Sequence, residues 1–205
     1  MLFRSDIGTE NPDFLKIKGL IRRSEAKSTC RYVGLPENHI HFLDLPFYET
    51  GTIEKKPMSK DDIDLTKKLL REIEPHQIFC AGDLADPHGT HKVCLDIVIE
   101  AIKEIKKEGD EWLNNCWIWL YKGAWQEWNI DEIEMAVPMS PDQVIKKRHG
   151  IFIHQSQKDL VPFQGSDTRE FWQRAEERNK KTAMIYAQLG MTQFEAMEAF
   201  VRFYL

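Results

Sequence analysis

Segments of strand length and segments of helical periodicity alternate along this chain, and the alternation predicts an α/β sandwich built on a mainly parallel sheet. Two observations carry that expectation. Short apolar runs, His39 to Phe47, His76 to Ala81 and Cys116 to Tyr121, are separated by longer stretches whose apolar residues recur every three or four positions. Turn-forming Gly, Pro, Asn and Asp punctuate the joins.

The first helix is read from Phe14 to Val33, with Ile17, Leu20, Ile21, Cys30 and Val33 on one stripe and Gly34 placed to end it at positive φ. Pro36-Glu37-Asn38 then turns the chain into the strand-like run ending at Phe47. Ser59 followed by Asp62 is a helix-start signature, because hydroxyl and carboxylate both satisfy free N–H groups; Ile63, Thr66, Leu69, Leu70 and Ile73 mark its buried face. His76 to Ala81 reads as a strand, and the loop Gly82 to Pro87 feeds a helix with Cys94, Ile97, Val98, Ala101, Ile102 and Ile105 on its apolar face, closed by Gly109. Cys116 to Tyr121 and Glu132 to Val137 are further strands. Ser140-Pro141 with Gln143 opens a helix through about Gln155. A long helix from about Asp167 to Leu189 and a short strand around Ala199 to Phe203 complete the order.

The 205 residues carry 28 Lys and Arg against 33 Asp and Glu, a net charge of −5, and no basic face stands out. Generic nucleic-acid or anionic-membrane binding is therefore not expected. A chain of this length buries roughly 70% of the surface its unfolded form exposes, so it needs neither disulfides nor metal merely to fold. No apolar stretch approaches the roughly 18 residues of a membrane helix, and the N-terminal MLFRSDIGTENPD lacks the apolar core of a secretory signal, so a cytoplasmic address is expected. Cys30, Cys80, Cys94 and Cys116 are far apart and show no CxxC spacing; they read as reduced, mostly buried thiols.

Ligands of parallel α/β sheets collect beyond the carboxyl ends of the strands, which directs attention to the loops after Phe47, Ala81 and Tyr121. The second stands out. Gly82 to His91 holds two carboxylates, Asp83 and Asp86, and two imidazoles, His88 and His91. If the following helix begins at Asp86 or Pro87, both histidines project from its first turns toward the crevice, one able to ligate a metal and the other to meet its substrate. Asp86-Pro87 also reads as an N-cap and first-turn pair, which gives Asp86 a structural role. Of the aromatic cluster, Trp117, Trp119 and Tyr121 at period two read as one core-facing side of a strand. Trp125 and Trp128, in the loop from Lys122 to Asn129, read as flat platforms for a sugar ring. Lys146-Lys147-Arg148 reads as a solvated helix face.

Arg22-Arg23-Ser24-Glu25-Ala26 with Val33-Gly34-Leu35 and His41-Phe42-Leu43-Asp44-Leu45-Pro46, then Pro75 to His91, then Ser140 to Gln157 ending His154-Gln155-Ser156-Gln157, together resemble the LmbE-like (PIG-L) family of zinc-dependent N-deacetylases. The resemblance implies a Rossmann-like three-layer sandwich and removal of acetyl groups from N-acetylglucosamine-type amino sugars. By position it implies His91 as a zinc ligand and His88 as the histidine that polarises the amide carbonyl or steadies the oxyanion. Asp83, Trp125 and Trp128 are read from the residues themselves as substrate contacts. Around Arg169-Glu170-Phe171-Trp172 and Glu195 to Phe200 the wording is similar to the form of this domain fused to glucosamine-6-phosphate deaminase (isomerase) in bacteria.

The family's H-P-D-D segment, source of the other zinc ligands and the general base, has no counterpart here: Pro12-Asp13 follows Asn11 and precedes Phe14. Fewer residues precede Arg22 than the ~30 a βαβ unit needs. The expectation is a single deacetylase domain over 1–205, N-terminally truncated by its first strand and helix and ending in a C-terminal helical extension over 158–205. A strand missing from a sheet leaves an edge unpaired, so self-association or a fused partner domain is expected. A second reading makes the chain a non-catalytic sugar-binding or assembly module of a glucosamine-6-phosphate deaminase fusion, with His88 and His91 vestigial.

Overall fold

The helix signals are realised first at their caps. A computed structural model of the chain describes residues 12–48, 56–82, 89–124, 126–157 and 168–205. Among these it forms helices α1 (Pro12–Tyr32), α2 (Lys60–Ile73), α3 (Thr90–Glu108), α4 (Pro141–Ile153) and α5 (Phe171–Gln188), and strands β1 (Gln77–Ala81), β2 (Trp117–Tyr121), β3 (Met135–Met139) and β4 (Ala196–Phe203). Ser59 and Asp62 form a reciprocal capping box on α2, and Ser140 and Gln143 form one on α4 with Pro141 in the first turn. Gly109, at φ 91°, stops α3 in the left-handed conformation that lets its N–H reach the carbonyls of Ile105 and Lys106.

The four strands make one open sheet in the order β1-β2-β4-β3. β1 and β2 are parallel, Gln77 opposite Trp117 through Ala81 opposite Tyr121. β2 and β4 are antiparallel, with Ile118 opposite Phe203 and Tyr121 opposite Phe200. The α/β class is therefore as the sequence predicts, and the pairing includes both senses: β1 and β2 run parallel, while β4 enters beside β2 in the opposite sense. The C-terminal segment thus supplies an interior strand of the sheet as well as a helix.

One predicted strand is absent. Residues His39 to Phe47 form a single 3-10 turn, Glu37–His39, followed by irregular chain. Pro36 sets that turn at φ −65°, Asp44 adopts a left-handed φ of 48°, and Pro46 has no N–H to give a ladder. The Phe47 N–H donates instead to the Asp62 carboxylate at 3.0 Å, and the apolar ring beside it is buried.

The chain divides into two compact units. The unit containing 54–136 and 199–205 has an apolar core in which Ile63 and Leu70 of α2 and Leu95, Ile99, Ala101, Ile102 and Ile105 of α3 pack with Ile118 of β2. Ile97, Ile102 and Ile105 are fully buried, which is the outcome their helical spacing predicts. Cys94, placed by sequence on that stripe, is exposed, and the other three cysteines are half-buried; all four are free thiols. Burial pushes the Cys80 thiol up to about 11, with the nearby Cys94 adding to the rise. Trp119 is buried, but Trp117 and Tyr121 are 45% and 37% exposed, so their side of β2 is not a closed core.

The unit containing 1–42 and 137–198 joins a buried polar network to buried Val144, Ala175, Ala183, Ala196 and Met197. Lys147 donates to Asn179 Oδ1 at 2.7 Å and pairs with Glu198, which also pairs with Arg178. Asn179, 1% exposed, donates to the Met197 carbonyl at 2.9 Å. Arg148 makes bidentate bonds of 2.7 to 2.9 Å to Glu176 and lies 4.7 Å from the centroid of the Trp172 ring. Lys147 and Arg148 are therefore engaged in the interior contacts of this unit and are not simply a solvated face. Ile17 and Leu20 on α1, and Val33 just past its end, are about half exposed, so the stripe read there is only partly covered. Glu25 receives the Ser156 N–H at 2.8 Å and the Ser156 hydroxyl at 2.6 Å, which joins two of the segments that carry the family resemblance.

Candidate functional site at the carboxyl end of β1

Parallel pairing carries β1 and β2 side by side to a common carboxyl end. The ladder continues one residue past β1, where the Gly82 N–H donates to the Tyr121 carbonyl at 2.7 Å. Gly82 is buried, and a Cβ there would stand 2.8 Å from the Leu120 Cβ and 3.0 Å from the Trp128 ring. Glycine is therefore required by close approach: the indole of Trp128 lies against the backbone at the point where β1 ends. The Lys122 ammonium stands 4.2 Å from the Trp128 ring centroid, a cation–π contact that occupies one face of the indole. The indole N–H of Trp128 is buried with no hydrogen-bond partner among the described residues. Ala124, 7% exposed, closes the base of the same loop.

α3 begins at Thr90, with Gly89 as N-cap at φ 66°, and His91 is exposed on its first turn. The helix is capped by Gly89, and His91 belongs to it. Asp83, Asp86, His88 and Trp125 lie outside the described residues. The structure places His91 on the first turn of α3 and Trp128 in the segment after β2. Neither Gly82 nor Lys122 stands out in the sequence. The available signal for Gly82 is a glycine immediately after a strand, which marks close approach of another group.

Among the described residues no three His, Cys, Asp or Glu side chains come together. That described set does not by itself make a zinc centre, which takes three or four such donors. Among the described residues, no helix is long and apolar enough to cross a membrane.

An α/β sheet of this topology is shared with solved enzymes of two chemistries. The chain matches the zinc-inhibited form of teicoplanin deacetylase Orf2 with a TM-score of 0.54, covering 90% of this chain and 74% of that one at 18% identity. It matches GalB, the 4-carboxy-2-hydroxymuconate hydratase of Pseudomonas putida, with a TM-score of 0.63, covering 97% and 77% at 14% identity. At such identities the likeness establishes the fold alone. In sequence the chain is similar to a glucosamine-6-phosphate deaminase-like protein of Bacteroides thetaiotaomicron, 56% identical over 200 residues. The match covers 98% of this chain but spans only 30% of that relative's length. No family model matches the chain.

Proposed function

We propose that this chain is an N-deacetylase-type domain that hydrolyses the acetamide of an N-acetylglucosamine-type amino sugar, with the chemistry gathered in the loop between β1 and α3. The observation that carries the reading is the position of His91, exposed on the first turn of the helix that follows the carboxyl end of a parallel strand, in a fold also found in a deacetylase. The deaminase-like name of the 56%-identical relative supports amino-sugar metabolism as the setting.

In this reading His91 would hold a zinc ion and His88 would donate to the oxygen of the amide carbonyl as it gains negative charge. Loss of one such donor commonly lowers the rate about 10² to 10³ fold. Zinc, when bound, supplies an activated water to amide hydrolysis. The remaining ligands and the general base correspond to the H-P-D-D segment, which these 205 residues do not contain, so the chain contributes part of the centre.

Calorimetry with N-acetylglucosamine and its 6-phosphate tests the proposal. Binding that weakens on chelation and in His91→Ala is the expected result. Binding indifferent to the chelator and to His91→Ala, yet lost in Trp125→Ala, would overturn it in favour of a non-catalytic sugar-binding module.

A further inference from the structure

Lys122 is the first residue past β2, and β2 runs parallel to β1 with Tyr121 opposite Ala81. The Gly82 N–H donates to the Tyr121 carbonyl at 2.7 Å, so the residue that opens the segment leading to His91 is bonded to the residue just before the lysine. The half-buried Lys122 therefore stands at the carboxyl end of the parallel pair, where ligands of such sheets collect.

What holds this ammonium sets it apart. Lys60, Lys67, Lys92, Lys103 and Lys180 each have a carboxylate oxygen at 3.1 Å or less, which cancels their charge locally. Lys122 is held instead by the Trp128 ring, 4.2 Å from ammonium to centroid, and meets no carboxylate at ion-pair distance among the described residues. Glu127, the carboxylate of the same loop, accepts the Trp128 backbone N–H at 3.0 Å. An indole attracts a cation through its quadrupole but has no net charge, so it orders the flexible lysine stem and leaves the positive charge free to meet a further group. The ring is itself fixed against Gly82, where a Cβ would stand 3.0 Å from it.

An ordered, uncancelled cation at this end of the strands is matched by an anion on the ligand. Among the anionic substituents a sugar can carry, a phosphate monoester has 1.5 to 2 negative charges near neutral pH, by general estimate about twice that of a carboxylate. Lysine meets phosphate as a point charge, without the planar geometry that a carboxylate shares with arginine.

We infer that Lys122 makes the site select a phosphorylated amino sugar, its ammonium receiving the phosphate. The inference rests on the proposed amino-sugar reading and adds the charge of the substrate to it. Calorimetry with N-acetylglucosamine, its 6-phosphate and inorganic phosphate tests it, on the wild type, Lys122→Gln and Lys122→Arg. The 6-phosphate should bind about tenfold more tightly than the neutral sugar, the scale of one charge-assisted contact. Lys122→Gln should bring the two sugars level, and Lys122→Arg should keep the preference, with far-ultraviolet circular dichroism unchanged in both. No phosphate preference in the wild type, as a lysine neutralised by Asp83 or Asp86 would show, overturns the inference. So does a preference that survives Lys122→Gln, or inorganic phosphate binding as tightly as the sugar phosphate. Repeating the series with a chelator separates the two readings. A Lys122-dependent preference in binding that ignores the chelator and His91→Ala supports this inference and removes the metal, whereas chelator-sensitive binding without the preference does the reverse.

Discussion

The unit around α3 and the unit around α5 solve the same problem with different materials. In the first, seven isoleucines and leucines of two helices and a strand pack into one apolar cluster. In the second, the buried centre is Asn179, tied to Lys147 and Glu198, with Arg178 and Arg148 completing two ion-pair groups. An apolar core is stabilised by the area it removes from water and tolerates imprecise geometry. A polar centre is stabilised only when every donor and acceptor is met, and fails when one is removed.

That contrast is sharpened by substitutions of decreasing expected cost. Ile102→Ala, at a fully buried position, should destabilise by about 4 kcal/mol through lost transfer energy and the cavity left behind, read by urea unfolding of the unit that contains it. Glu198→Ala should cost about 3 kcal/mol, because it leaves Lys147 and Arg178 facing each other without their carboxylate. A cost near zero there would show that the polar unit is held by its small apolar contacts after all. Asp62→Ala should cost about 2 kcal/mol. Its buried carboxylate meets the N–H groups of both Phe47 and Ser59, so the loss exceeds that of a simple cap.

Acid should separate the two units in the same sense. Burial alone would raise the Glu198 carboxyl, but the Lys147 and Arg178 charges outweigh it and hold it below the usual carboxylate range. A carboxyl depressed in the folded state contributes stability that is present above its unfolded value, roughly 4, and is lost as pH falls through the folded value. Urea midpoints should therefore fall on acidification below that range, and the fall should be shallower in Glu198→Gln. An unchanged pH slope in Glu198→Gln would remove Glu198 from the account.

The elements whose backbone signals are local were legible in the sequence. The capping pairs Ser59 with Asp62 and Ser140 with Gln143, and the stop at Gly109, lie within a few residues of one another and act through the chain's own N–H groups. The stretch from His39 to Phe47 was misleading because its apolar alternation is strand-like, while its hydrogen bonding is decided by Pro46 and by Asp62, fifteen residues on. The antiparallel entry of β4 beside β2 leaves no periodic trace, since alternation reads the same in either direction. At the site, the carboxyl end of β1 was legible from residue type and order. The close approach of Trp128 to Gly82 was not, because it depends on where the loop after β2 returns.

The central claim, that this loop carries metal-dependent chemistry through His91, meets its most direct test in counting zinc. The purified chain would be equilibrated with zinc, freed of unbound metal and measured by elemental mass spectrometry beside His91→Ala. The account predicts zinc retained by the wild type at less than one per chain, because the chain contributes part of the centre, and its loss in the variant. Stoichiometric zinc that survives His91→Ala would contradict it.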